Sequence, residues 1–224
     1  MRNRAFITVV LPLLIASGSV NAVSLGSVDL GVNAGTLGVG PTLGVTIVPN
    51  KFRARLTTGF LDYSDSATSE GIKYEGDLEL RNAALIGDYH PFDGLFRLSA
   101  GAVINGNEFN ATGTVVSGQT YTSNGVTYTA GAGDSVNASV EFDDLAPYAG
   151  FGWGTAGVEG GLSLSADIGV MFQGTPEADI SIDTSPALQA DADRYAQEAE
   201  DDLNDELDDF EMYPVIQIGA VYRF

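Results

Sequence analysis

The chain of 224 residues contains no cysteine, which excludes disulfides, thiolate metal sites and thiol nucleophiles. It has one histidine, His90, too few for the usual zinc constellations. A hydrolytic triad is equally unsupported. Its base must be oriented by a carboxylate and sit beside a nucleophile, and the nearest serine, Ser99, stands well into the next segment. Basic residues are scarce: 10 Lys and Arg against 30 Asp and Glu leave a net charge of −20 at pH 7. Nucleic-acid phosphates would be repelled. Beyond residue 22 no apolar run approaches the roughly 20 residues a membrane helix needs.

What the amino-terminal stretch does contain is a secretory leader. Arg2 and Arg4 form a positive region, residues 5–15 are apolar, and Val20-Asn21-Ala22 is a small-residue cleavage site. A retained helix would need a longer apolar run and different flanks. The mature chain then starts at Val23, and residues 23–224 are expected to form one domain. Its 28 glycines and mean hydropathy of +0.08 suit short strands whose apolar half is diluted by a polar half.

Alternation with period two recurs through this region, as strands require. In residues 212–224, Pro214, Ile216, Ile218, Ala220, Tyr222 and Phe224 share one parity, and Gln217, Gly219 and Arg223 take the other. The same pattern places Leu37, Val39, Leu43 and Ile47 on an apolar face. It does so again for Phe52, Leu56 and Phe60 opposite Arg53 and Arg55, and for Leu98 and Ile104 opposite Arg97. Segments around 145–153 and 162–172 repeat it. Leu78, Leu80, Ala84 and Ile86 are read as apolar-facing, against Glu79 and Arg81. A first strand is expected around 24–32, with a hairpin at Asn33-Ala34-Gly35. Eight strands return the chain to its starting side, which suits a closed antiparallel transmembrane up-and-down barrel. Short connections near 49–51, 91–94 and 154–161 then read as periplasmic turns, and 62–74, 108–138 and 178–211 as extracellular loops.

A soluble β-sandwich also alternates, but here aromatics gather near strand ends on the apolar face, as interfacial girdles do. Charge falls on the other face. Arg53, Arg55, Glu79, Arg81, Arg97, Glu141, Asp167 and Arg223 are expected to form an ion-pair network inside the barrel. Two readings follow: a salt-bridged plug, favoured because this strand number leaves little lumen, or a narrow water-lined passage whose arginines prefer anions.

Residues 88–107 (Asp-Tyr-His-Pro-Phe-Asp-Gly-Leu-Phe-Arg-Leu-Ser-Ala-Gly-Ala-Val-Ile-Asn-Gly-Asn), residues 145–154 (Leu-Ala-Pro-Tyr-Ala-Gly-Phe-Gly-Trp-Gly) and the ending Val-Tyr-Arg-Phe resemble small outer-membrane β-barrel proteins of Gram-negative bacteria, the OmpA/OmpX/OmpW-like eight-stranded barrels. The resemblance implies a home in the outer membrane among lipid and lipopolysaccharide. It also implies that Tyr222 and Phe224 serve as a signal to the barrel-assembly machinery. Members of the group include membrane-stabilising proteins, small-solute channels, adhesins and a few lipid-modifying enzymes.

Residues 191–211 hold eleven carboxylates and one arginine. Ser185 followed by Pro186 is a helix opening, and Leu188, Ala192, Tyr195, Ala199, Leu203, Leu207 and Phe210 recur at helical spacing. Residues 186–210 are therefore expected to form an acidic amphipathic helix within a 185–211 insertion in the last extracellular loop. Asp201, Asp202 and Asp205 are candidate ligands for divalent cations, although no EF-hand spacing is present. A solvated acidic face is the simpler reading. The glycine-rich runs 150–154 and 157–161 do not open a helix and form no phosphate loop. The expected function is thus non-enzymatic and needs no cofactor: a structural barrel or very narrow channel. The alternatives are a surface-binding protein acting through its loops and helix, and a lipid-modifying enzyme.

Overall fold

Strand formation extends further than apolar alternation predicts. The structure is a computed structural model and describes residues 27–69, 72–115, 120–123, 126–129, 131, 133–154 and 160–224; the expected leader at 1–22 lies outside them. The strands are β1 (Val28–Gly35), β2 (Gly38–Val48), β3 (Phe52–Ser69), β4 (Ile72–Tyr89), β5 (Phe96–Asn105), β6 (Glu108–Val115), β7 (Thr120–Ser123), β8 (Val126–Thr129), β9 (Ser135–Glu141), β10 (Leu145–Trp153), β11 (Gly161–Phe172), β12 (Glu177–Asp183) and β13 (Met212–Arg223). Among the described residues one helix, α1 (Gln189–Leu207), runs into a single 3₁₀ turn, Asp208–Phe210.

Antiparallel pairing closes a ring. β1 pairs β2, β2 pairs β3, β3 pairs β4, β4 pairs β5, and β5 pairs β10. From there β10 pairs β11, β11 pairs β13, and β13 returns to β1 with Asp29 opposite Arg223. A closed ring leaves no open edge between its first and last strands. Its outward residues are apolar on every strand, among them Val32, Val39, Phe60, Leu85, Ile104, Leu145, Leu164 and Ile218. The side chains packed inside include Val103, Tyr148, Met171 and Val215, interleaved with polar and charged groups. At the end with the short turns, aromatics form a belt. Phe52 stacks on Tyr89 with centroids 4.9 Å apart, Phe96 meets Trp153 edge-on at 5.9 Å, and Tyr222 meets Phe224 at 5.1 Å.

The opposite end corrects the expected loops at 62–74, 108–138 and 178–211. β3 and β4 run well past the ring. The first half of β4 (72–79) leaves β5 behind and pairs β6, which pairs β9, which pairs β12. Thus the first two long connections are largely strand and the third contributes β12 before its helix: together they make a second sheet section, β3-β4-β6-β9-β12, continuous with the ring wall. β7 and β8 form a separate hairpin. Reading strands by a single greasy face misses these because both of their faces are partly solvated.

Two further expectations are corrected. The first strand spans Val28–Gly35, and the hairpin turn is Thr36-Leu37, where Gly38 takes φ +97°, a left-handed conformation open to glycine. In β4 the parity is inverted: Leu80, Ala84 and Ile86 point inward and Leu85 outward at 65 % exposure. Apolar residues occupy both parities there, so alternation alone cannot set the face.

α1 begins three residues later than its sequence suggests. Ser185 does not cap it, and residues 186–188 form a turn in which Leu188 and Gln189 donate to the Ser185 carbonyl. The reason is the pull of β12: Gln189 Nε2 donates to Ile182 O, and its Oε1 accepts from Thr184 N. The helix packs along β12. Asn204 accepts from Ala178 N and donates to Ala178 O, while Glu200 accepts from Ile180 N. Side chains of α1 thereby occupy backbone groups that an edge strand would leave unpaired.

Candidate functional site: the ion-paired lumen

Inside the ring, β3 carries Arg53 and Arg55 on its inward parity, β5 carries Arg97 and Ser99, and β13 carries Arg223. Asp29 comes from β1, Asp88 from the end of β4, and Asp167 from β11. Their side chains are nearly or wholly buried, Arg55 and Arg223 being the most accessible at 10 %. Burial of charge on this scale is tolerated only with partners, and each has them.

Arg53 donates from Nε to Asp29 Oδ2 at 2.9 Å, from a terminal nitrogen to Asp29 Oδ1, and from its other terminal nitrogen to Asp88 Oδ2 at 3.0 Å. Arg223 lies 3.7 Å from Asp29. Arg55 grips Asp167 through two 2.9 Å bonds, the bidentate geometry that makes arginine–carboxylate pairs strong. Its Nε stands 3.2 Å from Asp88. Arg97 donates to both oxygens of Asp167, at 2.8 and 2.9 Å, and to the Gly154 carbonyl at 2.8 Å. Ser99 Oγ completes Asp88 at 2.7 Å. Four guanidinium groups and three carboxylates thus form a continuous cage. Gly44 makes room for it, since a Cβ there would overlap both the Arg53 guanidinium and the Asp29 carboxylate. The remaining cavity between the cage and its neighbours Thr57, Tyr148 and Gln217 is about 20 Å³, room for about one water.

Of the residues expected to pair in the lumen, the structure brings together Arg53, Arg55, Arg97, Asp167 and Arg223. Glu79, Arg81 and Glu141 lie elsewhere. Arg81 is opposite Phe60 on the outer face and half exposed, bonded to Glu79 and Asp62 at 3.0 Å each. This follows from the inverted parity of β4. Glu141 is exposed at the end of β9, in register with Glu108 and Glu177. Asp29 and Asp88 were not foreseen. The signal for Asp29 was present, as it alternates with the apolar Val28, Leu30 and Val32; that for Asp88 was hidden by the ambiguous parity of β4.

Asp201, Asp202 and Asp205 stand exposed on α1. Among the described residues no three His, Cys, Asp or Glu side chains converge to hold a metal ion. His90 is buried just beyond β4; its Nδ1–H donates to Gly94 O at 3.0 Å. Burial holds its pKa below the usual 6.5. Tyr222 and Phe224 sit outward, in the aromatic belt.

No protein-family model and no curated protein sequence matches the chain. Among solved structures, CarO2 of Acinetobacter baumannii superposes with a TM-score of 0.60 at 20 % identity, covering 89 % of this chain and 99 % of that one. CarO of the same organism gives 0.55 at 22 % identity, covering 88 % and 97 %. Both are outer-membrane proteins. The fold is that of an outer-membrane β-barrel. Closure from β1 to β13, the outward apolar band and the charged interior all belong to that architecture.

Proposed function

We propose that this protein is an integral, non-enzymatic barrel of the bacterial outer membrane: an eight-stranded transmembrane ring with a sealed lumen, exported through a cleaved leader. The carrying observation is the arginine–aspartate cage, which spans the interior and leaves space for about one water. A structural role is therefore favoured over a solute channel. The outward apolar residues supply the lipid-facing surface, and the Asp62–Arg81–Glu79 trio on the outer face marks where that surface gives way to water. On this reading the short turns face the periplasm, while the sheet extension and α1, in the last long connection, stand outside the cell against lipopolysaccharide. Tyr222 and Phe224 present the ending read by the barrel-assembly machinery.

Planar-bilayer recording tests the role directly. Purified protein that shows heat-modifiable gel mobility is expected to give no discrete conductance steps. Regular steps that shift when Arg97 is replaced by alanine would establish a channel instead.

A further inference from the structure

The extension encloses space that the barrel reading leaves unused. β3, β4, β6, β9 and β12 form the wall of a cavity of about 760 Å³, and α1 supplies a further side. That volume lies within the usual range of small-molecule sites, roughly 300–1,000 Å³. Ile72, Tyr74, Val136, Ile182, Leu188 and Tyr195 line it. Tyr74 and Val136 keep 48 % and 41 % of their surface accessible. α1 is held to β12 by polar side chains bonded to the strand backbone, while Leu188, Ala192 and Tyr195 of its apolar stripe line the cavity. Apolar surface left open above the membrane is favourable to cover.

Charge selects the occupant. Asp65, Glu75, Asp134 and Asp191 line the same cavity, and among the described residues no Lys, Arg or His does. Lys73 pairs with Glu75 at 2.7 Å and Arg194 with Asp191 at 2.9 Å. Asp65 accepts the backbone amide of Ser66 and Asp134 that of Gly131, and among the described residues neither has a cationic partner. The balance stays negative, which disfavours fatty-acid carboxylates and lipid phosphates. We propose that this cavity binds an amphiphile with an apolar body and a cationic amine head. The proposal rests on the reading of the extension as lying outside the bilayer.

The test uses the full protein in lipid nanodiscs, with Tyr195→Trp as a reporter in a Trp153→Phe background and brominated alkyl ligands as quenchers. Titration with 12-bromododecylamine is expected to quench saturably, at concentrations about tenfold lower than 12-bromododecanoate requires, a preference of ~1.4 kcal/mol. Filling the cavity by Ala138→Phe, or by Ala192→Phe should the first variant fail to fold, abolishes the saturable phase. Asp65→Asn with Asp134→Asn reduces the preference for the amine. Equal quenching by amine and carboxylate, or quenching that is linear and indifferent to the filled cavity, would overturn the proposal. Heat-modifiable mobility is measured on the same samples. Its loss in the unmodified protein would count against the barrel, whereas its retention without quenching counts against the cavity alone.

Discussion

Asp167 is the residue on which the lumen depends most, because it accepts from Arg55 and Arg97 at once. Replacing it by alanine leaves two buried guanidinium groups short of their shared partner, a loss of about 3–5 kcal/mol by analogy with broken buried pairs. Urea unfolding in lipid should shift accordingly, with Arg81→Ala, an exposed outer-face change, as a near-neutral control. His90 makes the opposite kind of prediction, one about pH. Its folded pKa lies below 6.5, so between those values the unfolded chain binds more protons. Its contribution to stability is full above pH 6.5 and is lost as pH falls toward the folded value. A melting series from pH 8 to pH 5 should show that decline, and His90→Gln should flatten it. The four lumen arginines were legible in the sequence because β3, β5 and β13 have one unmistakably apolar face. Glu79 and Arg81 were misplaced because their strand is greasy on both.

At the scale of elements, α1 acts as a cover for the β12 edge. Asn204→Ala combined with Glu200→Ala removes three hydrogen bonds to the strand backbone, each worth roughly 0.5–1.5 kcal/mol. Amide exchange at Ala178 and Ile180 should accelerate, and limited proteolysis should cut within 184–211 while the ring stays intact. The helix itself was legible from its three-and-four spacing, and its strand partner was not. Spacing shows that a helix has an apolar stripe, whereas what the stripe meets depends on pairings between residues far apart in sequence. The same limit explains why β6, β9 and β12 read as loops: Asn, Thr, Ser and Gly dilute β6 and β9, Asp, Glu and Ser dilute β12, and neither face is greasy enough to announce a strand.

For the whole molecule the decisive property is that it is built inside out. Leu164 stands on the outer face at 75 % exposure. Leu164→Arg should cost about 2–4 kcal/mol if that position meets the bilayer midplane and lower the fraction recovered folded in membranes. In an aqueous sandwich the same change would be nearly silent. Ring closure and the outward apolar periodicity were both legible in the sequence, since strand after strand repeats the alternation seen at 212–223. The half-cylinder rising from one rim was not, because a strand that changes neighbours midway, as β4 does between β5 and β6, leaves no mark in composition or periodicity.

The seam between β1 and β13 has a consequence for assembly. Asp29 and Arg223 face one another across it, yet nearly the entire chain separates them, so the contact that zips the cylinder shut is also among the most distant in sequence. Loop-closure entropy makes such contacts slow to form. Until they do, the facing margins of β1 and β13 both stand unmated. The final insertion step is therefore the vulnerable one, and a guardian that shields naked strand margins would act there.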